Sequence, residues 1–220
     1  ASIVGAVREG RTIYENIVKF VRFQLSTNIG AILTVLGAPF MGLATPFTAV
    51  QILWVNIIMD GPPAMTLGVE PARPGIMDQS PRSDDAAILS PQRMWRIALY
   101  GLTMAVGTLG VYAWAMAAGD TARAMTLAFT TFVLFQFFNI FNARTEHGSA
   151  FNRQFFSNGK LWVALLGVVL LQVVVVHWAP AQTVFDTVDL SVNDWLIASA
   201  VASSTLLLEE ARKLLFRLVR

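Results

Sequence analysis

Cysteine is absent from the 220 residues, which excludes disulfide frameworks, thiolate metal centres and cysteine nucleophiles. Charge is scarce as well: Lys, Arg, Asp and Glu make up 14%, against roughly 25% in an ordinary soluble domain. Only two histidines occur, His147 in a loop and His177 near a helix end, and neither has a second histidine nearby to build a zinc site. Sixteen basic and fourteen acidic residues leave a net charge of +2, too near neutral to point to a nucleic-acid partner, and none is expected. What is abundant is apolar. Hydrophobic residues make up 55% and the mean hydropathy is +0.57, which excludes intrinsic disorder. The charges are also clustered, with none between Arg22 and Asp60, between Arg96 and Asp120, or between Arg123 and Arg144. A bilayer core of about 30 Å demands about 20 consecutive apolar residues from a helix, so this is an integral membrane chain.

The pattern predicts an all-α, polytopic bundle of six transmembrane helices. They are expected over Lys19–Leu43, Phe47–Leu67, Met94–Ala118, Ala124–Asn142, Leu161–Trp178 and Trp195–Leu208. Pro39 and Pro46 split the first long apolar stretch in two. Residues 1–22 form a cytoplasmic stalk, 23–208 the membrane domain, and 209–220 an amphipathic tail along the membrane surface. Fifteen of the sixteen basic residues then fall on one side of the membrane and Arg123 alone on the other. The positive-inside rule places both termini in the cytoplasm. Most tryptophans sit near predicted helix ends, where amphipathic rings are favoured, but Trp54 and Trp114 fit less well. Gly101, Gly107 and Gly110 read as close helix contacts, because no strand precedes them to make a phosphate loop.

Of the fourteen carboxylates, Asp60 alone lies deep in a predicted span. An uncompensated acid there costs at least about 2.5 kcal/mol. Asn56 lies four residues before Asp60, on the same face of a regular helix, and Gly61-Pro62-Pro63 must interrupt that helix just beyond it. Broken membrane helices are tolerated where the freed carbonyls face a cavity or an ion. Ser26, Thr27, Asn28 and Thr34 supply polar atoms at similar depth on the first helix. Together these make a hard oxygen set suited to calcium, magnesium, sodium or a proton path. The residues assigned to a cation are Asn28, Asn56 and Asp60. Asn28 alone also fits an interhelical hydrogen bond, and Gln136 and Asn139 fit packing and ligation equally.

At these residues the sequence resembles the type II P-type cation-transporting ATPases, and most of all the calcium pumps. The run from Gln51, QILWVNIIMDGPPAMTLGVEP, is similar to the family's sixth transmembrane helix. Glu9-Gly10-Arg11 with Ile13 to Phe20 resembles the stalk leaving the phosphorylation domain, and FTTFVLFQFFNIFNAR, Phe129 to Arg144, resembles the eighth helix. The resemblance implies helices five to ten of such a pump, with helix-four ligands and the missing N-terminal half as partners. It further implies ATP and magnesium bound outside these residues, and a divalent cation, calcium foremost, as cargo. No catalytic or cofactor-binding residue is expected here, and no DKTGT-like phosphorylation sequence occurs in the 220 residues. The resemblance therefore implies a C-terminal fragment that is inactive alone. Two positions that carry oxygen ligands in two-calcium pumps match Ala31 and Met59, and a carboxylate position matches Gln136. That pattern is similar to one-calcium pumps of the plasma-membrane type and implies one ion per cycle. Pro62 departs from the usual Leu.

Two rival readings remain open at this level. A stand-alone six-helix channel or secondary transporter would also use Asp60, although no second copy of the Asn-x3-Asp-Gly-Pro-Pro segment follows. A structural anchor would leave Asp60 unexplained. Ala and Arg richness points to a bacterial cell membrane. Calcium and manganese are not separable from these residues.

Overall fold

In the computed structural model residues 2–59, 61–78, 80, 88–146, 148–152 and 155–218 are described, the side chains of residues 59 and 216–218 aside. The elements are α1 (Ser2–Phe40), α2 (Ala49–Trp54), a π-helical turn π1 (Val55–Met59), α3 (Pro62–Gly68), α4 (Pro91–Met116), α5 (Thr121–Arg144), α6 (Gly159–His177), α7 (Ala179–Phe185) and α8 (Val192–Leu218). Among the described residues all regular structure is helical, as the sequence predicts.

The centre of the bundle is α5. Most of its residues are buried, from Ala124 through Ala143, and a helix apolar all round belongs inside a bundle. It packs against α1, α3, α4, α6, α8 and π1, while α4 also packs on α1 and α8. Phe129, Phe132 and Phe135 are fully or almost fully buried on α5 and join Tyr112 and Met104 of α4 in the larger core. A second core at the other end gathers Phe23, Leu67, Ile140, Phe141 and Leu161.

Four helices, α1, α4, α5 and α6, are long and apolar enough to cross a membrane. Two of the six expected crossings differ in kind. The second is divided into α2, π1 and α3, because Gly61-Pro62-Pro63 cannot continue a regular helix. The sixth, α8, does not stop at Leu208 but runs on to Leu218, with Glu209 and Lys213 buried against the bundle rather than lying on a surface. The stalk is likewise no separate piece. It is the first part of α1, whose 39 residues span about 58 Å at 1.5 Å per residue, far more than a bilayer core.

Small residues set the closest helix approach. A Cβ on Gly101 would stand 2.6 Å from Ile29 Cγ2 and 3.1 Å from the Gly30 backbone nitrogen, and one on Gly107 would run into the Phe135 ring. Nothing lies within 4 Å of a Cβ at Gly110, so that glycine is no contact point. Trp54 is away from a helix end for a reason: its indole N–H donates to Gln172 Oε1 at 3.2 Å, and its ring meets Phe185 edge-on. The exposed Trp114 ring carries the Arg123 guanidinium 5.8 Å from its centroid.

Candidate cation site

The broken helix begins with a strong start. Thr48 and Gln51 form a reciprocal capping box, each side chain accepting from the other's backbone N–H, which satisfies two otherwise orphaned donors. Gln51 is fully buried and its amide also donates to the Phe185 carbonyl at 2.9 Å, tying α2 to α7. After one and a half turns the helix widens into π1, which holds Asn56. Single π turns inside α-helices concentrate at functional sites, because each leaves a backbone group free of its usual partner. Gly61 follows, and a Cβ there would collide with the Ile57 carbonyl oxygen. Pro62 and Pro63 then open α3, at positions where a missing N–H costs nothing.

Asp60 lies outside the described residues. Asn56 sits in the π turn, so its face-sharing with position 60, which assumes a regular 3.6-residue helix, no longer follows from spacing. Asn28 and Asn56 are both exposed on the surface of the bundle. Around them Ile32 and Leu36 on α1 and Leu53 and Ile57 on the broken helix are exposed too. An amide on an otherwise apolar face would be costly against lipid chains.

The buried polar atoms at this depth come from elsewhere. Asn139 on α5 donates to Ser26 Oγ on α1 at 2.8 Å, which assigns it to helix–helix attachment. Gln136, one turn away, is fully buried, and neither its amide oxygen nor its nitrogen has a partner. Leaving such groups unpaired costs about 1–3 kcal/mol. The sequence weighs these two residues equally; tertiary packing separates them. Further along, Asn142 donates to the Thr205 carbonyl at 2.9 Å and fixes α5 to α8. His147 lies outside the described residues, and His177 accepts from the Trp195 indole at 3.1 Å while its other nitrogen faces Asp189 at 2.9 Å.

The stalk part of α1 is bound to the stretch that follows α3. Glu70 is buried between Lys19, at 3.1 Å, and Arg144. Asn16 donates to the Glu70 carbonyl at 2.8 Å, Arg11 donates to the Ile76 carbonyl at 2.9 Å, and Arg73 pairs with Glu15 at 2.8 Å. These contacts tie α1 to the segment that leads on from α3. Glu70 escaped the sequence reading as a structural hub; its place directly after α3 was the available signal. At the far end of α8, burial pushes Glu209 and Glu210 up. Hydrogen bonds from Arg212 to the first, and from Ser149, the Ala150 N–H and Lys213 to the second, outweigh it and hold both below the usual carboxylate range. At its start, burial pushes Asp194 up too, and hydrogen bonds from Arg123 and Ser191 reverse that shift.

Residues 44–215 match the family described as cation transporting ATPase, C-terminus. The chain is 40% identical to calcium-transporting ATPase 1 of Schizosaccharomyces pombe over 97% of its length, covering 24% of that protein. It is 40% identical to the mouse calcium-transporting ATPase type 2C member 2 over 97% of its length, and 39% identical to the mouse type 2C member 1 over 96%, covering 23% of each. The chain thus spans about a quarter of the length of these relatives. The bacterial source read from composition does not stand: it rested on Ala and Arg content alone, and the relatives named above are eukaryotic.

Proposed function

The chain belongs to the cation transporting ATPase C-terminal family, and on that premise we propose that it is the membrane segment of an ATP-driven calcium export pump carrying one ion per cycle. The observation that carries this reading is the interrupted helix: a π turn bearing Asn56, a glycine with no room for a Cβ, and two prolines, all in the middle of an apolar hairpin. Such a break frees backbone carbonyls for a hard cation. Asp60 supplies one negative charge beside it, and Asn56 and Asn28 supply amide oxygens from the exposed face. That face is completed by helices outside these residues, which also contribute the second acid that a divalent ion needs. The exposure of two asparagines on an apolar surface supports this, since a covering helix would remove them from lipid.

ATP and magnesium are handled by parts of the polypeptide outside these residues. The conformational signal enters through α1 and reaches the broken helix by way of Glu70, Lys19 and Arg144, biasing a two-state change in access. Both termini and the loops 69–90 and 145–158 face the cytoplasm. The names of the relatives support calcium as cargo; the Ala31 and Met59 positions support a single ion.

The deciding experiment is cation-stimulated ATP hydrolysis by the full polypeptide, wild type beside Asp60→Asn, with calcium, with manganese and with magnesium alone. Stimulation by calcium that disappears in a correctly inserted Asp60→Asn protein is the expected result. Equal stimulation in both proteins would remove Asp60 from the site, and cation flux without nucleotide would favour a channel.

A further inference from the structure

A cavity of about 1080 Å³ opens at the end of the bundle where the stalk part of α1 meets the stretch after α3, the first turn of α4 and the residues after α5. Among the described residues six basic and three acidic side chains stand on its wall, a surplus of three positive charges. Each of the three carboxylates is already matched: Glu70 by Lys19 and Arg144, Glu15 by Arg73, and Glu146 by Arg93 at 2.8 Å. Among the described residues Arg22 has no such match. It is 2% exposed, its terminal nitrogens donate to the carbonyls of Asn142 and Ala143 at 3.3 and 3.4 Å, and its Nε–H has no partner. The carbonyls at the end of α5 carry a partial negative charge that favours a cation there. They do not neutralise it, and a buried guanidinium without an anion is expensive.

The same wall includes Val18, Phe141 and Phe155, and the exposed rings of Trp95, Phe151 and Phe156 lie on segments that border it. Aromatic side chains of this kind gather at the boundary between lipid and water. We propose that this cavity binds a phosphate-bearing anion, with the Arg22 guanidinium as the innermost of its basic groups and an anionic phospholipid headgroup as its source. A phosphate diester offers the fork of oxygens that a guanidinium matches, one negative charge against the surplus, and a glycerol backbone that can rest on Phe141 and Phe155. This site is separate from the cation path, and its occupancy can be read without any pump activity.

The test is lipid retention by the full polypeptide in nanodiscs of mixed phosphatidylglycerol and phosphatidylcholine, followed by native mass spectrometry. Wild type should hold phosphatidylglycerol over phosphatidylcholine by about tenfold, the value of one charged hydrogen bond, and Arg22→Gln should lose that preference while Arg22→Lys keeps part of it. Glu15→Gln removes a partly exposed acid from the wall and should raise retention, an effect that no folding defect imitates and that decides the matter if Arg22→Gln does not fold. If phosphatidylglycerol is not preferred but inorganic phosphate raises the thermal midpoint of wild type and not of Arg22→Gln in pure phosphatidylcholine, the site stands with free phosphate as its source. No lipid preference, no phosphate effect and no response to Glu15→Gln would overturn it.

Discussion

Gln136 is the residue whose chemistry the packing leaves least explained. Its amide is fully buried and unpaired on both atoms, whereas Asn139, one turn on, holds Ser26. If the amide only filled space, leucine of similar volume would be better there, because nothing polar would remain to be satisfied. Gln136→Leu is therefore expected to leave the thermal midpoint unchanged or to raise stability by about 1 kcal/mol. If Gln136 instead takes part in the cation path of the proposed function, the same substitution weakens calcium activation. Calcium titration of ATP hydrolysis beside a melting curve separates the two effects, and unchanged calcium affinity would return Gln136 to packing. The sequence could show an amide inside an apolar run but not which neighbour it meets, because the hydroxyl that accepts from the Asn139 amide nitrogen lies 113 residues away on α1.

Elements were legible where a side-chain pattern dictates them and illegible where the backbone decides. The break after position 60 follows from two prolines that cannot donate or continue a helix. The π turn before it has no such marker: Val55 to Met59 reads as ordinary helix. The continuity of stalk and first crossing was hidden because the charges of α1 suggest a boundary that the backbone ignores. Gly101 and Gly107 were read correctly as contacts and Gly110 was not, since spacing gives the face of a helix but not the distance to its neighbour. Alanine at Gly101 meets Ile29 and the Gly30 backbone, so α1 and α4 must part. Gly101→Ala is expected to cost about 1–3 kcal/mol and Gly110→Ala close to nothing, as thermal melts in detergent would show; equal melts would refute the close approach. The last helix, α8, is pinned at both ends by carboxylates. Asp194, Glu209 and Glu210 are all held below their ordinary range. A depressed folded value stabilises the protein above the ordinary carboxylate pKa, about 4, and that stability is lost as pH falls through the folded values. Acidification from pH about 5 downward should thus release α8, and Glu209→Gln should abolish part of the pH dependence, which hydrogen exchange along α8 would record.

At the scale of the whole molecule the membrane character was written in the charge gaps, and the bundle architecture followed from the physical demand that every polar backbone group be satisfied in lipid. What the sequence cannot contain is the other side of the exposed face: Asn28 and Asn56 point away from the core of this chain, and only a covering surface gives them a role. The orientation of the bundle is proposed from basic residues alone, and the absence of cysteine among these 220 residues makes it directly testable. Ser2 and Ser157 lie on exposed segments at the end that holds Glu70 and Arg144, while Ala118 and Thr183 are exposed at the opposite end. Single cysteines placed there, in a background without other reactive thiols, should divide cleanly. In sealed vesicles that keep the cytoplasmic face outward, an impermeant maleimide should label Ser2→Cys and Ser157→Cys and leave Ala118→Cys and Thr183→Cys untouched until the membrane is opened. The reverse pattern would invert the molecule and place the Arg22 cavity on the non-cytoplasmic leaflet. Labelling that puts Ser2→Cys and Ser157→Cys on opposite faces while Ala118→Cys and Thr183→Cys stay together would mean that the broken helix does not return across the bilayer, and the hairpin that carries the proposed cation path would fail with it.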